Sequence, residues 1–421
     1  PLLLVLFYVI TPLIINYFCY KYSSLQKIGA ILIAYIIGLV LGNIGLFPEV
    51  SKQMLHLITN KDIQLNSSLI NQLFSTGQLT ADDVFYFKVY KLQDLLTTIA
   101  IVIALPLLLF SLNIRNWFKV AGKTFLSLAL GLVSVIIPIF VGYMIFKDKV
   151  DESWKVAGMM TGVYSGGTPN LAAVQKMLEV NKLTYILTHT YDLIIGAIFL
   201  VFVISIGQRV LLRFLPAYKP SGITEESEIQ MIDEKKEGFF SLLNTKYSLP
   251  LLAAFGLSIL IVGVSVGIGE LLPKKIQMLV VILSITTLGI LASLNRKINR
   301  IEKTFDVGMY FILIFSLVVA SMADLRNFSI EHIHIFYWVA MVYVGSLIIH
   351  VMLAAIFRID ADNVLIVSTA LSCSPPFVPV VAGALKNKEI ILSGLTVGII
   401  GYAIGNYLGI FFAYLLKNLP I

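Results

Sequence analysis

The most distinctive polar stretch of this sequence lies inside a long apolar segment, residues 154–179. Its centre, residues 165–170, reads Ser-Gly-Gly-Thr-Pro-Asn. Glycine is flexible and proline removes a helical hydrogen bond, so this stretch disfavours a continuous helix. A break at membrane depth exposes carbonyl and N–H groups that suit ions and anionic groups, whereas a kink with close glycine packing needs no ligand. The candidate substrate or ion ligands here are Ser165, Gly166, Gly167, Thr168 and Asn170.

A second interruption lies in the apolar segment 362–385, where residues 371–376 read Leu-Ser-Cys-Ser-Pro-Pro. Hydroxyl groups and freed backbone carbonyls can coordinate a hard cation such as Na⁺. Discontinuous helices at matching places of two halves are the best sequence indicator of a transporter binding site. We therefore add Ser372 and Ser374 to the candidate ligands, and we interpret Cys373 as a small packing residue.

Asp192 is the candidate for coupling chemistry, and for a Na⁺ ligand. It lies inside the apolar segment 183–206, and a carboxylate within a membrane span is costly enough to indicate a function. His189, three residues earlier, could share its helix face. The alternative is a polar residue near a helix end that meets only lipid headgroups. Asn406 lies in a glycine-rich late segment and could complete the site, although helix packing accounts for those glycines equally well.

Several kinds of chemistry are excluded by what the sequence lacks. It has no Walker A motif, no His-Glu-x-x-His helix and no Gly-x-Ser-x-Gly elbow. The five histidines lack tight metal-ligand spacing, and the two cysteines, Cys19 and Cys373, exclude a disulfide framework. No basic cluster interleaved with aromatic residues suggests a nucleic-acid surface. We therefore expect no enzyme activity, no nucleic-acid partner, and no cofactor apart from a bound Na⁺.

Membrane helices must position these residues. Of the 421 residues, 58% are hydrophobic and only 13% are charged, which is too few charges to cover a soluble domain. The apolar residues occur in blocks of about 18–25, the length that spans a bilayer, without the alternation of a β-barrel. The predicted apolar segments number twelve and lie at residues 1–19, 27–47, 94–112, 119–146, 154–179, 183–206, 249–270, 276–294, 304–323, 334–357, 362–385 and 389–416.

Two hydrophilic stretches interrupt this pattern. Residues 48–91 are polar and predict an extramembrane excursion. Residues 207–248 are rich in charge and predict a cytoplasmic linker between a first transmembrane repeat, 1–206, and a second, 249–421. The basic residues that mark this side as cytoplasmic are Arg209, Arg213, Arg296, Lys297 and Arg300.

The two halves look like structural repeats. Similar polar motifs, at residues 113–117 and 324–328, follow the third and ninth apolar segments, and the two interruptions lie in the fifth and eleventh. We expect each half to contain a broken helix that crosses near the midplane, and the halves could be parallel or inverted. Six spans per half would make the halves parallel, so inversion requires one miscounted block, such as a re-entrant hairpin or an extra short span.

These residues also carry a family resemblance. Residues 154–159, Trp-Lys-Val-Ala-Gly-Met, run into Tyr-Ser-Gly-Gly at 164–167, with Asp192 on the next helix. Together with residues 104–110 and 394–409, this pattern resembles the domain of unknown function 819 family of membrane proteins. That family is similar to the cation/proton antiporter and anion transporter superfamily. The resemblance implies an inverted repeat, two broken helices, a core domain that moves against a scaffold domain, and a homodimer.

The resemblance also implies a role for Asp192. In antiporter members of the superfamily, an aspartate on the helix after the first broken helix binds the ion or proton, and Asp192 matches that place. Tyr191 precedes it where Asn or Asp is usual, and Ser-Pro-Pro stands where many family members have Gly-Gly-Pro. Both departures argue against simple Na⁺/H⁺ exchange.

The sequence therefore predicts an all-α polytopic protein of the cytoplasmic membrane that acts as a secondary active transporter. It would carry a small organic solute, with an anion as one candidate, coupled to Na⁺ or H⁺ by alternating access. One alternative is an electroneutral cation/proton antiporter. An alternative of another class is a membrane receptor or assembly subunit that binds a ligand without moving it. The expected partners are the lipid bilayer, a small-molecule substrate and a second copy of the chain.

Overall fold

The computed structural model describes residues 2–45, 67–111, 122–219, 245–322, 332–387 and 389–419, and four positions between 51 and 57. Every regular element in this part of the chain is helical, as expected of a polytopic α-helical membrane protein. Nine of these helices are long and apolar enough to cross a membrane. The predicted motifs at 113–117 and 324–328, and linker residues 220–244, lie outside the described residues.

The long apolar runs form helices because every backbone polar group at membrane depth must be satisfied within its own segment. In the first half these are α1 (Leu2–Lys21), α2 (Ala30–Asn43), α3 (Ala81–Phe110), α4 (Gly122–Phe146), α5 (Ser153–Gly166), α6 (Thr168–Met177) and α7 (Lys182–Phe202). In the second half they are α8 (Thr245–Glu270), α9 (Lys274–Ser293), α10 (Thr304–Ser321), α11 (Ile333–Ile356), α12 (Ala361–Ser372), α13 (Val378–Ala384) and α14 (Ile390–Lys417).

Helix α3 begins well before its apolar segment. A capping box fixes the start: the Asp83 backbone N–H donates to Thr80 Oγ1 (3.2 Å), and the Thr80 N–H donates to the Asp83 carboxylate (2.9 Å). Asp94, which the sequence predicted at the beginning of this helix, therefore lies within it. At the other end of the first half, α7 continues through a π-helical turn, Val203–Gly207, as far as Leu211.

The fifth apolar segment is interrupted at Gly167, as predicted, but it does not continue across as one broken helix. Its two halves run antiparallel: a side chain at Gly162 would contact Val174, and one at Gly158 would contact Leu178. At the base, the Asn181 N–H donates to the Glu152 carboxylate (2.9 Å). Helices α5 and α6 therefore form a helical hairpin, here called hairpin 1, which corrects the predicted crossing.

The eleventh segment folds in the same way. Helix α12 ends at Ser372, a short 3₁₀ turn follows at Pro375–Phe377, and α13 then runs back. The Asn387 amide, just after α13, donates to the Asp362 carboxylate in the first turn of α12 (2.9 Å). We call α12, the turn and α13 hairpin 2. Its two ends therefore lie together, and this segment also fails to cross.

The two hairpins start from opposite ends of the molecule. The apolar stretch Lys182–Leu211 is 30 residues long, about 45 Å as a helix, and it connects their bases. It begins beside the base of hairpin 1, and at its other end Gln208 donates to Asp362 at the base of hairpin 2 (2.7 Å). We call the end near Leu211 the linker face, and the end near Lys182 the far face.

The helices pack as two bodies. The core comprises α4, hairpin 1, α7, α11, hairpin 2 and α14, and the panel comprises α1, α2, α3, α8, α9 and α10. Each half of the chain supplies three panel helices and then a helix, a hairpin and a helix of the core. The bodies meet mainly where α6 and α14 face α3 and α9. The site is therefore built in the core, next to the panel.

Glycines allow the close packing within the core. Gly401 lies against the backbone of Ser165, and Gly409 lies against the backbone of Gly158, so α14 and α5 are in backbone contact. His350 of α11 contacts Ser127 through Nε2 (3.1 Å) and Ser368 through Nδ1 (2.9 Å). It therefore forms hydrogen bonds between three helices of the core.

Arginine placement predicts which face is cytoplasmic. Asn299 donates to the Phe110 carbonyl (3.0 Å), so the turn after α9 lies at the linker-face end of α3. The arginines of the described residues all lie at this face: Arg209, Arg213, Arg296, Arg300 and Arg358. On this asymmetry of arginine, the linker face is predicted to be the cytoplasmic one.

We expect single cysteines to report this orientation once Cys19 and Cys373 are replaced by serine. An impermeant maleimide added to intact cells should label Asp151→Cys at the far face and spare Lys297→Cys at the linker face. Both should react after permeabilisation, which controls for reactivity. Labelling of Lys297→Cys, and not of Asp151→Cys, in intact cells would show that the protein has the opposite orientation.

Candidate functional site

The tips of the two hairpins touch. Gly167 forms the tip of hairpin 1 with φ +112°, and a Cβ there would overlap the hydroxyl of Ser374. Ser374, at the tip of hairpin 2, has φ +82°, a conformation that non-glycine residues rarely adopt. Strained backbone of this kind persists only where the surroundings hold it, and it is often found at functional sites. The two interruptions, which are far apart in the sequence, therefore lie against each other in the structure.

Asp192 of α7 lies beside the tips and is almost fully buried. The hydroxyl of Tyr343, from α11, lies 3.1 Å from Asp192 Oδ1 and 3.2 Å from the Ser372 carbonyl oxygen, and it can donate to either. The Tyr164 ring packs edge-on against the Tyr343 ring, with centroids 5.0 Å apart. Asp192 is therefore linked through one tyrosine to the end of α12.

The Asp192 carboxylate has little to balance its charge. In the described part of the chain, no lysine or arginine forms an ion pair with it. A buried carboxylate is costly unless it is paired, coordinated to a cation or protonated. The Ser372 carbonyl and the Tyr343 hydroxyl supply further oxygen atoms nearby, which are the ligands that Na⁺ prefers. The group could therefore hold Na⁺ or a proton.

A second group of polar atoms lies where hairpin 1 meets α14. The Asn170 amide donates to the Gly401 carbonyl (3.0 Å), and its nitrogen occupies the space that a side chain at Gly405 would need. The Ser165 hydroxyl donates to the Gly162 carbonyl (3.0 Å). Gly166 packs on the backbone of Gly401. Thr168 is buried at the start of α6, whose N-terminal N–H groups favour negative charge.

Asn406 joins the core to the panel. Its amide donates to Thr286 Oγ1 of α9 (3.1 Å), and the next residue, Tyr407, pairs with the Thr287 hydroxyl (2.7 Å). His189 also faces the panel, because its ring packs against Tyr35 of α2 with centroids 4.7 Å apart. These contacts direct both side chains toward the panel.

An ion-pair cluster crosses the same boundary at the far face. Asp94 of the panel helix α3 pairs with Lys176 (3.0 Å) and Lys182 (3.2 Å) of the core. The Lys182 ammonium also lies 3.7 Å from the centre of the Tyr90 ring. Lys176 ends hairpin 1 and Lys182 begins α7, so the cluster ties the base of hairpin 1 to the panel.

The structure brings the predicted residues into three groups. Gly167 and Ser374 meet at the tips, Asp192 and Ser372 share Tyr343, and Ser165, Gly166 and Asn170 lie against α14. Sequence reasoning missed Tyr343 because a lone tyrosine in an apolar segment is indistinguishable from a packing residue. It also missed Thr286, which lies within an unremarkable span. No local signal in either segment could have identified them.

Two contacting hairpins within a bundle of long apolar helices define a polytopic α-helical membrane protein with discontinuous helices. Residues 64–419 match the family described as "Protein of unknown function (DUF819)", and the chain belongs to that family. It is also similar to the "Uncharacterized membrane protein YjcL" of Bacillus subtilis (strain 168), with 22% identity over 324 residues. That similarity covers 76% of this chain and 82% of the relative.

Proposed function

We propose that the protein is a secondary active transporter that carries a small organic solute across the cytoplasmic membrane, coupled to Na⁺ or H⁺. The observation that carries the proposal is the contact between two hairpin tips that come from opposite faces and meet beside the buried Asp192. A site between such tips can open to either face by movement of one hairpin at a time. That is the geometric requirement of alternating access.

The halves are, in this proposal, inverted repeats. Hairpin 1 enters from the far face and hairpin 2 from the linker face, and α7 and α14 follow them in opposite directions. Lys417 at the end of α14 lies over Trp154 at the base of hairpin 1, which supports that direction. The hairpin in each half does not cross the membrane, so each half has five crossing helices instead of six. An odd number of crossings per half is what inversion requires.

The same geometry supports movement of the core against the panel. The binding residues belong to the core, and the contacts between the two bodies are sparse compared with those inside each body. An elevator-like or rocking step would carry the tips along α3 and α9. In either step Asp192 exchanges its cation or proton with one side at a time.

A solute beside Asp192 would meet oxygen atoms at the ends of α5 and α12 and N–H groups at the start of α6. The N–H end of α6 favours a carboxylate or another anionic group on that solute. We propose that the partners of the protein are the bilayer of the cytoplasmic membrane and a second copy of the chain. No enzymatic step is part of the proposal.

Uptake into proteoliposomes tests the proposal. Purified protein should accumulate an organic anion from a labelled metabolite mixture when an inward Na⁺ or H⁺ gradient is imposed, and accumulation should stop when the gradient is dissipated. Gradient-driven exchange of Na⁺ for H⁺ with no solute would favour the antiporter. Binding of a metabolite with no flux under any gradient would support the receptor and would end the transport proposal.

A further inference from the structure

A cleft between the core and the panel opens near the far face. Helices α6 and α7 form its core wall, and α3 and α10 form its panel wall. It holds about 310 Å³ of space, part of which is open to solvent. Ligand pockets usually hold about 300–1,000 Å³, so this cleft is suited to a small molecule. Its described lining includes neither the hairpin tips nor Asp192, so the cleft is a separate place from the site described above.

Two lysines supply the positive charge of this cleft. Lys176 lies in the last turn of α6 and Lys182 begins α7, and their side chains are 14% and 31% exposed. Both ammonium groups contact the same oxygen atom, Oδ1 of Asp94, at 3.0 Å and 3.2 Å. The Asp94 side chain is 45% exposed and is not part of the described lining. One carboxylate, more exposed than either lysine, is thus shared by two ammonium groups.

The charges of the cleft do not balance. Two ammonium groups against one carboxylate leave an excess of one positive charge, and the described lining contains no acidic side chain. Lys182 Nζ is shielded from water and has no hydrogen bond in the described part of the chain; Asp94 and the face of the Tyr90 ring lie beside it. An ammonium group carries three N–H donors. Because a buried charge with unused donors is costly, the excess favours binding of an anion.

The uncharged polar groups of α3 and α6 in the lining already have partners. The Thr97 hydroxyl donates its proton to the Asp94 carbonyl (2.8 Å). The Gln175 amide donates to the Val180 carbonyl (3.2 Å). The two lysine ammonium groups are therefore the donors best able to bind a ligand in this cleft.

The remaining lining is aromatic or aliphatic. The rings of Tyr185, from the core, and Phe315, from the panel, meet edge to face with centroids 6.1 Å apart. The Tyr185 hydroxyl lies 3.4 Å from His189 Nδ1, so its polar end also has a partner. The aliphatic part of the surface comes from Ile186, Val319 and Met322. A ligand that suits this cleft therefore has one anionic group and an apolar body.

We propose that the cleft binds a small organic monocarboxylate, with its carboxylate between the ammonium groups of Lys176 and Lys182 and its apolar body against the aromatic and aliphatic lining. One negative charge balances the excess positive charge, whereas the second charge of a phosphate ester would exceed it. The ligand would compete with Asp94 for the two lysines. Identification of this ligand with the transported solute rests on the proposed function, whereas the site itself does not.

Thermal unfolding of the purified protein in detergent tests the site without any transport. Benzoate is the probe, because it carries one carboxylate on an apolar ring, and benzamide is its uncharged counterpart. When sodium benzoate replaces sodium chloride at a constant concentration of sodium, the wild-type Tm should rise saturably, whereas benzamide should not raise it. Lys182→Gln should lose the benzoate-dependent rise. Its Tm in chloride should stay near that of the wild type, because Asp94 and Lys176 remain as a balanced pair.

Asp94→Asn should have the opposite effect on benzoate binding. It should lower the Tm in chloride, because both ammonium groups lose their counter-ion. Benzoate should then act at about tenfold lower concentration than in the wild type, because no side-chain carboxylate competes for the lysines. A purely structural ion pair predicts no such gain of affinity. If Lys182→Gln does not fold, this gain decides the question, because a loss of stability does not imitate it.

Lys155→Gln is the matched control. Lys155 is another lysine at the base of hairpin 1, where it pairs with Glu152 (2.8 Å), and it is not part of the described lining. This variant should keep the wild-type response to benzoate. Three results would each overturn the site: no difference between benzoate and chloride in the wild type, a full benzoate response in Lys182→Gln, or an unchanged benzoate affinity in Asp94→Asn.

The outcome is separable from that of the transport proposal. Lysine-dependent binding of benzoate without gradient-driven uptake of any organic anion would leave the cleft site and end the transporter. Gradient-driven uptake by a protein that shows no lysine-dependent response to benzoate would leave the transporter and end the cleft site.

Discussion

Asp192→Asn is expected to abolish the dependence of uptake on the imposed gradient while the protein still folds and inserts. The amide has nearly the shape of the carboxylate and can still accept from the Tyr343 hydroxyl, but it binds no proton and carries no charge. Coupling free energies between sites are typically about 1–3 kcal/mol, so we expect the stimulation of uptake by the gradient, roughly 5- to 150-fold, to be lost. Uptake into proteoliposomes with and without the gradient measures this.

Asp362→Asn is the control for that experiment. Asp362 is as buried as Asp192, but it lies at the base of hairpin 2, where it accepts from Gln208 (2.7 Å) and Asn387 (2.9 Å). The same substitution there should leave the gradient dependence unchanged. Wild-type gradient dependence in Asp192→Asn would remove Asp192 from the mechanism and leave the hydroxyls of Ser372 and Ser374 as the next candidates.

Gly167→Ala should be strongly disruptive. The new Cβ would occupy the position of the Ser374 hydroxyl, and φ +112° is strained for any residue with a side chain. Backbone strain of this kind costs about 1–3 kcal/mol, and separation of the tips adds to it. We expect a lower Tm and uptake near the level of protein-free liposomes.

The second half of this experiment is a rescue. Ser374→Gly removes the hydroxyl in conflict and relieves the positive φ of Ser374 itself, so Gly167→Ala with Ser374→Gly should recover part of the lost Tm. A double-mutant cycle then measures the contact between the tips. Additive effects of the two substitutions would show that the tips are not in contact, and the site as described would not exist.

The interruptions were predictable because glycine and proline act locally. Ser-Gly-Gly-Thr-Pro-Asn and Ser-Cys-Ser-Pro-Pro mark both tips to within a residue. The direction after each break was not predictable, since it depends on which side chains the two halves present to each other. In hairpin 1, Gly158 and Gly162 face Leu178 and Val174, and this small-to-large packing turns the chain back. The length of the segment, sufficient for a crossing, was misleading.

Whether each half has an odd or an even number of membrane crossings was the clue to these hairpins. Twelve segments in two equal halves conflict with inversion, and a re-entrant hairpin was one of the two remedies considered. The structure has a hairpin in each half, so each half loses one crossing and the predicted inversion becomes possible. No spacing within either segment indicates this. Only the ends do, where Glu152 meets Asn181 and Asp362 meets Asn387.

The candidate ligands were predictable as residues but not as partners. Asp192, Asn170 and Asn406 are conspicuous because polar groups are costly in apolar segments. Their separation into a Tyr343 side and an α14 side depends on helix rotation, which an isolated apolar sequence does not encode. Asp94 is the clearest example. In the sequence it only begins the apolar segment 94–112, yet in the structure it pairs with two lysines of the core.

In the proposed transport cycle, the ion pairs of Asp94 would give the core a preferred resting position. Asp94 belongs to the panel and Lys176 and Lys182 belong to the core, so any sliding of one body past the other must first separate them. The cluster would thus add to the energy barrier for movement of the core past the panel. Because partly exposed ion pairs weaken as salt rises, that barrier would fall with external ionic strength. In the proposed cycle, the ionic strength of the surrounding solution would then set the lifetime of the resting state.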